Sequence, residues 1–243
     1  VNRLIIENLS AGYGAVSVFH DVSIEVTEGE FVALLGTNGN GKSTLLNCIM
    51  GFIKPTRGRI ILEWDGKALD LTALPAHEIV RRGLSMVPEG RRLVPSLSVE
   101  DNLRLAGSNP VVRDRLSQNL EYCYQTFPLL RERKAQLAGT MSGGQQQLLA
   151  IARSLMGVPK IIVVDEPSVG LAPIVVSQVI EVIRTLQKDN NLTILMAEQS
   201  FLQAIDVASR AYVLAHGRIA RNFDRSSGDI DHDDIRRALL GAA

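Results

Sequence analysis

The sequence predicts an α/β protein with a mostly parallel sheet at its core, an antiparallel N-terminal β portion and an inserted helical lobe. Three observations predict it. Strand-like and helix-like runs alternate from "IIVVDEP" at 161–167 onward, the texture of a parallel sheet covered on both faces. The stretch "GTNGNGKST" at 36–44 falls between a strand-like run and a helix-like one. From about residue 90 the chain is helical and polar, with no β-rich run until residue 161. These boundaries divide it into a core over 1–89 and 158–243 and a helical lobe over 90–157.

Taken in order, "RLIIENLS" and "VSIEVTEGEFVALLG" alternate as strands do, with Glu28-Gly29 as the turn between two of them. "STLLNCIMGF" reads as a helix ended by Gly51 and, soon after, Pro55. "GRIILEWDGKALD" is a hairpin turning at Asp65-Gly66. "PAHEIVRRG" is a short helix, Pro75 near its start and Gly83 beyond its end. "SVEDNLRLAG" and the stretch 110–137 supply the lobe's helices. After residue 161 come a strand, a helix at about 173–190, strand "LTILMAEQ", helix "FLQAIDVAS", strand "RAYVLAHG" and a final helix "DDIRRALLG".

With 243 residues, 46% of them hydrophobic, the chain can bury a sizeable core. Its 26 Lys+Arg balance its 26 Asp+Glu, so charge gives no reason to expect a nucleic-acid partner. Apolar runs such as "IIVV" fall far short of the ~20 residues a membrane helix needs. No charged-then-apolar leader opens the sequence, so export is not expected. Cys48 and Cys123 read as ordinary thiols in a reducing compartment. A soluble cytoplasmic protein is the expectation.

Gly36-Thr37-Asn38-Gly39-Asn40-Gly41-Lys42-Ser43 fits the phosphate-loop pattern G-x-x-x-x-G-K-[ST]. Glycines let backbone N–H groups curl round a phosphate, Lys42 adds a positive charge, and the Ser43 hydroxyl suits Mg²⁺. The helix behind, entered through Thr44, presents about +0.5 of a charge to the same anion. "IIVVDEP" reads as a buried strand delivering Asp165 and Glu166 to its carboxyl end. An acid there holds Mg²⁺ in P-loop NTPases, and a second carboxylate is suited to orient or deprotonate water.

A second helix start, Ser142-Gly143-Gly144-Gln145, satisfies the S-x-x-Q capping box. Each glycine costs about 1 kcal/mol relative to alanine inside a helix, which a cap alone does not require. The missing side chains suggest a close approach to the backbone. Hydroxyl, free N–H groups and helix dipole together suit a phosphate. The chain's own nucleotide already has a cradle, which directs this second site to the nucleotide of another subunit.

"GTNGNGKST", "MSGGQQQ" and "IIVVDEP" in this order resemble the Walker A, signature and Walker B motifs of ABC-type ATPases, over nearly the whole chain. The resemblance implies a P-loop NTPase fold, ATP and Mg²⁺ as cofactors, and a head-to-tail dimer with a like or unlike second ATPase subunit. It implies that Tyr13 stacks on adenine, although a core aromatic is an equal reading of that residue alone. It also implies that 168–171 bridge the two sites and that the lobe meets transmembrane permease subunits. The chain would then sit peripherally on the cytoplasmic face of the cell membrane, serving an extracytoplasmic solute-binding protein indirectly.

Two positions depart from the common pattern. Glu89 stands where most of these ATPases carry a glutamine that contacts Mg²⁺, and Gln199 stands where most carry a histidine at the γ-phosphate. His20, His77, His216 and His232 lie elsewhere, without metal-ligand spacing. The pair either weakens the site or marks a subgroup. "VPEGRR", "GTMSGGQQQ", "DEPSVGLAP" and "EQ" at 198–199 together are similar to the smaller ATP-binding subunits of branched-chain amino-acid importers, which favours the subgroup. Other readings are a clamp that binds ATP but scarcely hydrolyses it, and a relative serving DNA repair or translation. The last of these would be expected to carry a coiled-coil insertion or second ATPase copy. A small-molecule P-loop kinase leaves "MSGGQQQ" unexplained.

Overall fold

A computed structural model describes residues 1–225 and Arg237. Strands β1 (Arg3–Tyr13) and β2 (Val16–Thr27) form a hairpin, followed by β3 (Phe31–Leu35) and helix α1 (Lys42–Ile49). Next come the hairpin β4 (Arg57–Trp64) and β5 (Lys67–Asp70), then α2 (Ala76–Arg81) and β6 (Leu84–Val87). Helices α3 (Val99–Gly107), α4 (Leu116–Thr126), α5 (Pro128–Glu132) and α6 (Gly143–Leu155) separate β6 from β7 (Ile161–Asp165). The chain continues through α7 (Pro173–Asn190), β8 (Thr193–Glu198), α8 (Phe201–Ile205), β9 (Arg210–Ala215) and β10 (Arg218–Asp224). The expected final helix lies, Arg237 apart, outside the described residues, as does His232.

Two sheets result. One is antiparallel, in the order β2-β1-β4-β5; the other runs β10-β9-β3-β8-β7-β6, with all pairs parallel except β10 on β9. The turn at Gly29 therefore moves the chain from one sheet to the other. β6 and β10 are strands that the sequence reading leaves unassigned.

Because strand side chains alternate, β3 packs two cores at once. Val32 and Leu34 join Leu45, Leu46 and Ile49 of α1 and the inner face of the antiparallel sheet. Phe31, Ala33 and Leu35 face the other way, toward Val179, Ile180 and Ile183 of α7 and the helices α3, α4 and α6. Each such side chain contributes about 1.5–3 kcal/mol on burial, so the double-sided strand is a rigid base for the loop at its end. In α7 the buried set Val176, Val179, Ile180, Ile183 and Leu186 follows helical spacing. Pro173 opens that helix and Asn191, in the left-handed region, closes it. Cys48 and Cys123 are both buried, and burial pushes each thiol up to about 12.

Candidate active site

The parallel strands end together. Leu35 of β3 pairs with Glu198 of β8, Asp165 of β7 with Ala197, and Val87 of β6 with Val164. The segments that leave these strands consequently emerge along one edge, bringing the phosphate loop, Glu166, Glu89 and Gln199 to the same side. There a cleft of about 400 Å³ is lined by Asn38, Gly39, Lys42, Ser43, Glu89 and Glu166, among others.

Local conformation explains the loop. Gly39 and Gly41 have φ of 84° and 97°, a region that side-chain-bearing residues avoid. A Cβ on Gly41 would also lie 2.9 Å from Val18, whereas one on Gly39 would meet nothing within 4 Å. The first turn of α1 has no side-chain cap, which leaves N–H groups for an anion. Asn40 braces the loop: its side-chain amide donates to Thr37 Oγ1 at 2.7 Å, and its Oδ1 accepts from His216 N at 3.0 Å.

Lys42 is folded into this loop. Its Nζ donates to Gly36 O at 2.8 Å and Thr37 O at 3.3 Å and lies 2.9 Å from Glu166 Oε1. The two side chains are only 3% and 9% exposed. The Ser43 hydroxyl donates to Asp165 Oδ1 at 3.0 Å. Burial pushes the Asp165 carboxyl up to about 6; Ser43 opposes this, while the charges of Glu166 and Glu89 add to it. Glu166 itself has φ of 42° and donates its amide to Ala197 O at 3.0 Å. Left-handed backbone costs such a residue about 1–3 kcal/mol and collects at functional sites.

The sequence reading missed Glu198 as a structural hub. It is 2% exposed. Its carboxylate accepts from the Ser168 amide at 3.1 Å, the Ser168 hydroxyl at 2.8 Å and the Gln199 amide at 3.1 Å. Burial raises its carboxyl above the usual range, and those hydrogen bonds oppose the rise. Only the thirty-residue separation from Ser168 hid this. Arg153 of α6 was missed for the same reason; it donates to the carbonyls of Arg91 and Arg92, both in the left-handed region, tying the segment beyond Glu89 to the helices.

Tyr13 is 57% exposed at the end of β1, so it is no core aromatic; Val18 of β2, not Tyr13, lines the cleft. Gln199 is exposed. His20, His77 and His216 are exposed, and among the described residues no group of three or more His, Cys, Asp or Glu side chains could hold a metal alone.

The second helix start is present with both halves of its capping box: Gln145 N donates to Ser142 Oγ at 3.4 Å and Ser142 N to Gln145 Oε1 at 3.1 Å. Ser142 is exposed and both glycines are partly so; none of 142–145 lines the cleft. The glycines have a further reason inside the chain. A Cβ on Gly144 would lie 2.5 Å from Val175 Cγ1, and one on Gly143 would lie 3.2 Å from both Arg91 and Leu171. Close packing within the chain is thus a sufficient reason for small residues there, so the glycines alone do not call for an approaching phosphate.

Comparison with known proteins defines the class. Residues 19–169 match the family model described as ABC transporter, and the chain belongs to that family as an ATP-binding cassette ATPase. It is 42% identical over 238 residues to the high-affinity branched-chain amino acid transport ATP-binding protein BraG of Pseudomonas aeruginosa, spanning 98% of this chain and 99% of that protein. Among solved structures, it resembles the ADP conformation of an ATP-binding cassette of an ABC transporter, with TM-score 0.82, 26% identity, and 99% and 95% of the two chains covered. It also resembles a dimeric bacterial ABC transporter cassette, with TM-score 0.77, 26% identity, and 91% and 98% covered.

Proposed function

We propose that this ATPase drives a membrane importer for branched-chain or related amino acids, working as a head-to-tail dimer. The near-full-length identity to the BraG protein is the observation that carries the cargo. The region 90–157 acts as a lobe contacting the permease, from the cytoplasmic face, and an extracytoplasmic solute-binding protein is served indirectly. No helix among the described residues is long and apolar enough to cross a membrane, consistent with a peripheral subunit.

In this reading the loop 36–44 cradles the phosphates and Tyr13 stacks on the base. The hydroxyl of Ser43 and the carboxylates of Asp165 and Glu89 are hard oxygen donors close together, a set that fits Mg²⁺ completed by phosphate oxygens and water. Such an ion, when bound, neutralises charge that builds on the phosphates. Glu166 is the general base and Gln199 donates a hydrogen bond to the γ-phosphate. Ser142 to Gln145 serve the partner's nucleotide; the cap uses the serine oxygen as acceptor and leaves its O–H free to donate.

The ion pair between Lys42 and Glu166 sets the order of events. While Lys42 holds the carboxylate, Glu166 Oε1 is occupied by the ammonium and turned away from a water. An arriving triphosphate competes for Lys42 and releases Glu166 to a water. The site is therefore quiet until loaded.

The test is Glu166→Gln in the assembled complex, expected to keep ATP binding and to lower turnover about 10²–10⁴-fold. Turnover near that of the wild type would remove Glu166 from its role. A clamp that scarcely hydrolyses is the second reading, favoured by Glu89 and Gln199. A wild-type complex without steady-state hydrolysis would select it.

A further inference from the structure

We infer that Glu198 is a positioning residue that locks Gln199 to the segment following Glu166, so that the two move as one unit during hydrolysis. The inference rests on the reading of Glu166 and Gln199 given above. The carboxylate sits at the last position of β8, beside β7, and bonds across the gap between their loops. One oxygen takes the Ser168 amide; the other takes both the Ser168 hydroxyl and the Gln199 amide. A single buried group thereby fixes the backbone on both sides of the acceptor carboxylate.

Gln199 has particular need of such a lock. Its side chain is exposed, carries no charge, and makes no hydrogen bond among the described residues, so only its backbone can limit where it points. A flexible amide side chain loses much rotamer freedom on ordering, and small misplacement of a reacting group lowers rate steeply. A carboxylate suits the task better than a hydroxyl or amide because it accepts several hydrogen bonds at once. All three of these donors are neutral, so Glu198 is held by geometry and not by a counter-charge.

The experiment compares Glu198→Gln, Ser168→Ala and the double variant in the assembled complex, by ATP titration of hydrolysis and by binding of a fluorescent ATP analogue. A glutamine keeps the shape but has one acceptor oxygen in place of two. The expected result is a kcat lowered about tenfold in Glu198→Gln with analogue affinity changed less than about twofold. Ser168→Ala is expected to lower kcat as well, and the double variant to be no slower than the slower single. Thermal unfolding of each variant separates lost positioning from lost folding; if Glu198→Gln does not fold, Ser168→Ala alone decides. Full kcat in the variant that decides, or losses that multiply in the double variant, would overturn the inference. The wild-type rate measured alongside reports separately on the functional reading beneath it.

Discussion

At the scale of single residues, the buried carboxyl of Asp165 is ionised only at a cost to the folded chain. Its carboxyl ionises near 3.8 when exposed and near 6 when folded. Between those values the folded chain keeps a proton that the unfolded chain has lost. Stability from this group therefore falls as pH rises through that window and stays lower above it. Replacing Asp165 with Asn should raise the unfolding temperature of the nucleotide-free protein at about pH 8, by a free energy on the order of 1–3 kcal/mol, with no gain below about pH 4. Thermal denaturation at both pH values checks this; equal melting at the higher pH would refute it. The same variant should lose Mg²⁺-dependent hydrolysis, so that stability and activity change in opposite directions.

At the scale of elements, the start of α6 offers a cleaner test than its sequence suggested. With Val175 pressed against Gly144, Gly144→Ala should destabilise the chain by about 1–3 kcal/mol through overpacking, and adding Val175→Ala should recover most of the loss. If hydrolysis by the complex recovers together with stability, packing is the glycine's whole purpose. If hydrolysis stays low in the restored protein, the backbone there also meets a partner's phosphate.

Legibility from sequence divides along the same line. β3, β7 and β8 are apolar runs that end on recognisable residues, and each was readable. β6 has four residues between Gly83 and Pro88, too few to show a period. β10 is an edge strand in which only Phe223 is buried, so no alternation marks it. The phosphate loop, the Asp165-Glu166 pair and the capping box are local patterns and were readable from spacing. The contacts of Glu198 and Arg153, and the neighbours of Gly144, join distant parts of the chain, and no spacing rule reports them.

At the scale of the molecule, the cleft and the start of α6 are separate surfaces of one chain, which makes association the central prediction. Glu166→Gln with ATP should sediment as a dimer, and with ADP as a monomer. Adding Ser142→Arg should abolish the dimer while ATP binding in the cleft persists. Dimerisation undiminished by that arginine would place the contact elsewhere.

The two sequestered sulfhydryls have a practical side. Since neither Cys48 nor Cys123 is accessible or readily ionised, a third one engineered onto the surface would be the sole position to take a maleimide dye or spin label. The predicted association of copies would therefore be measurable by distance spectroscopy without first stripping the native background.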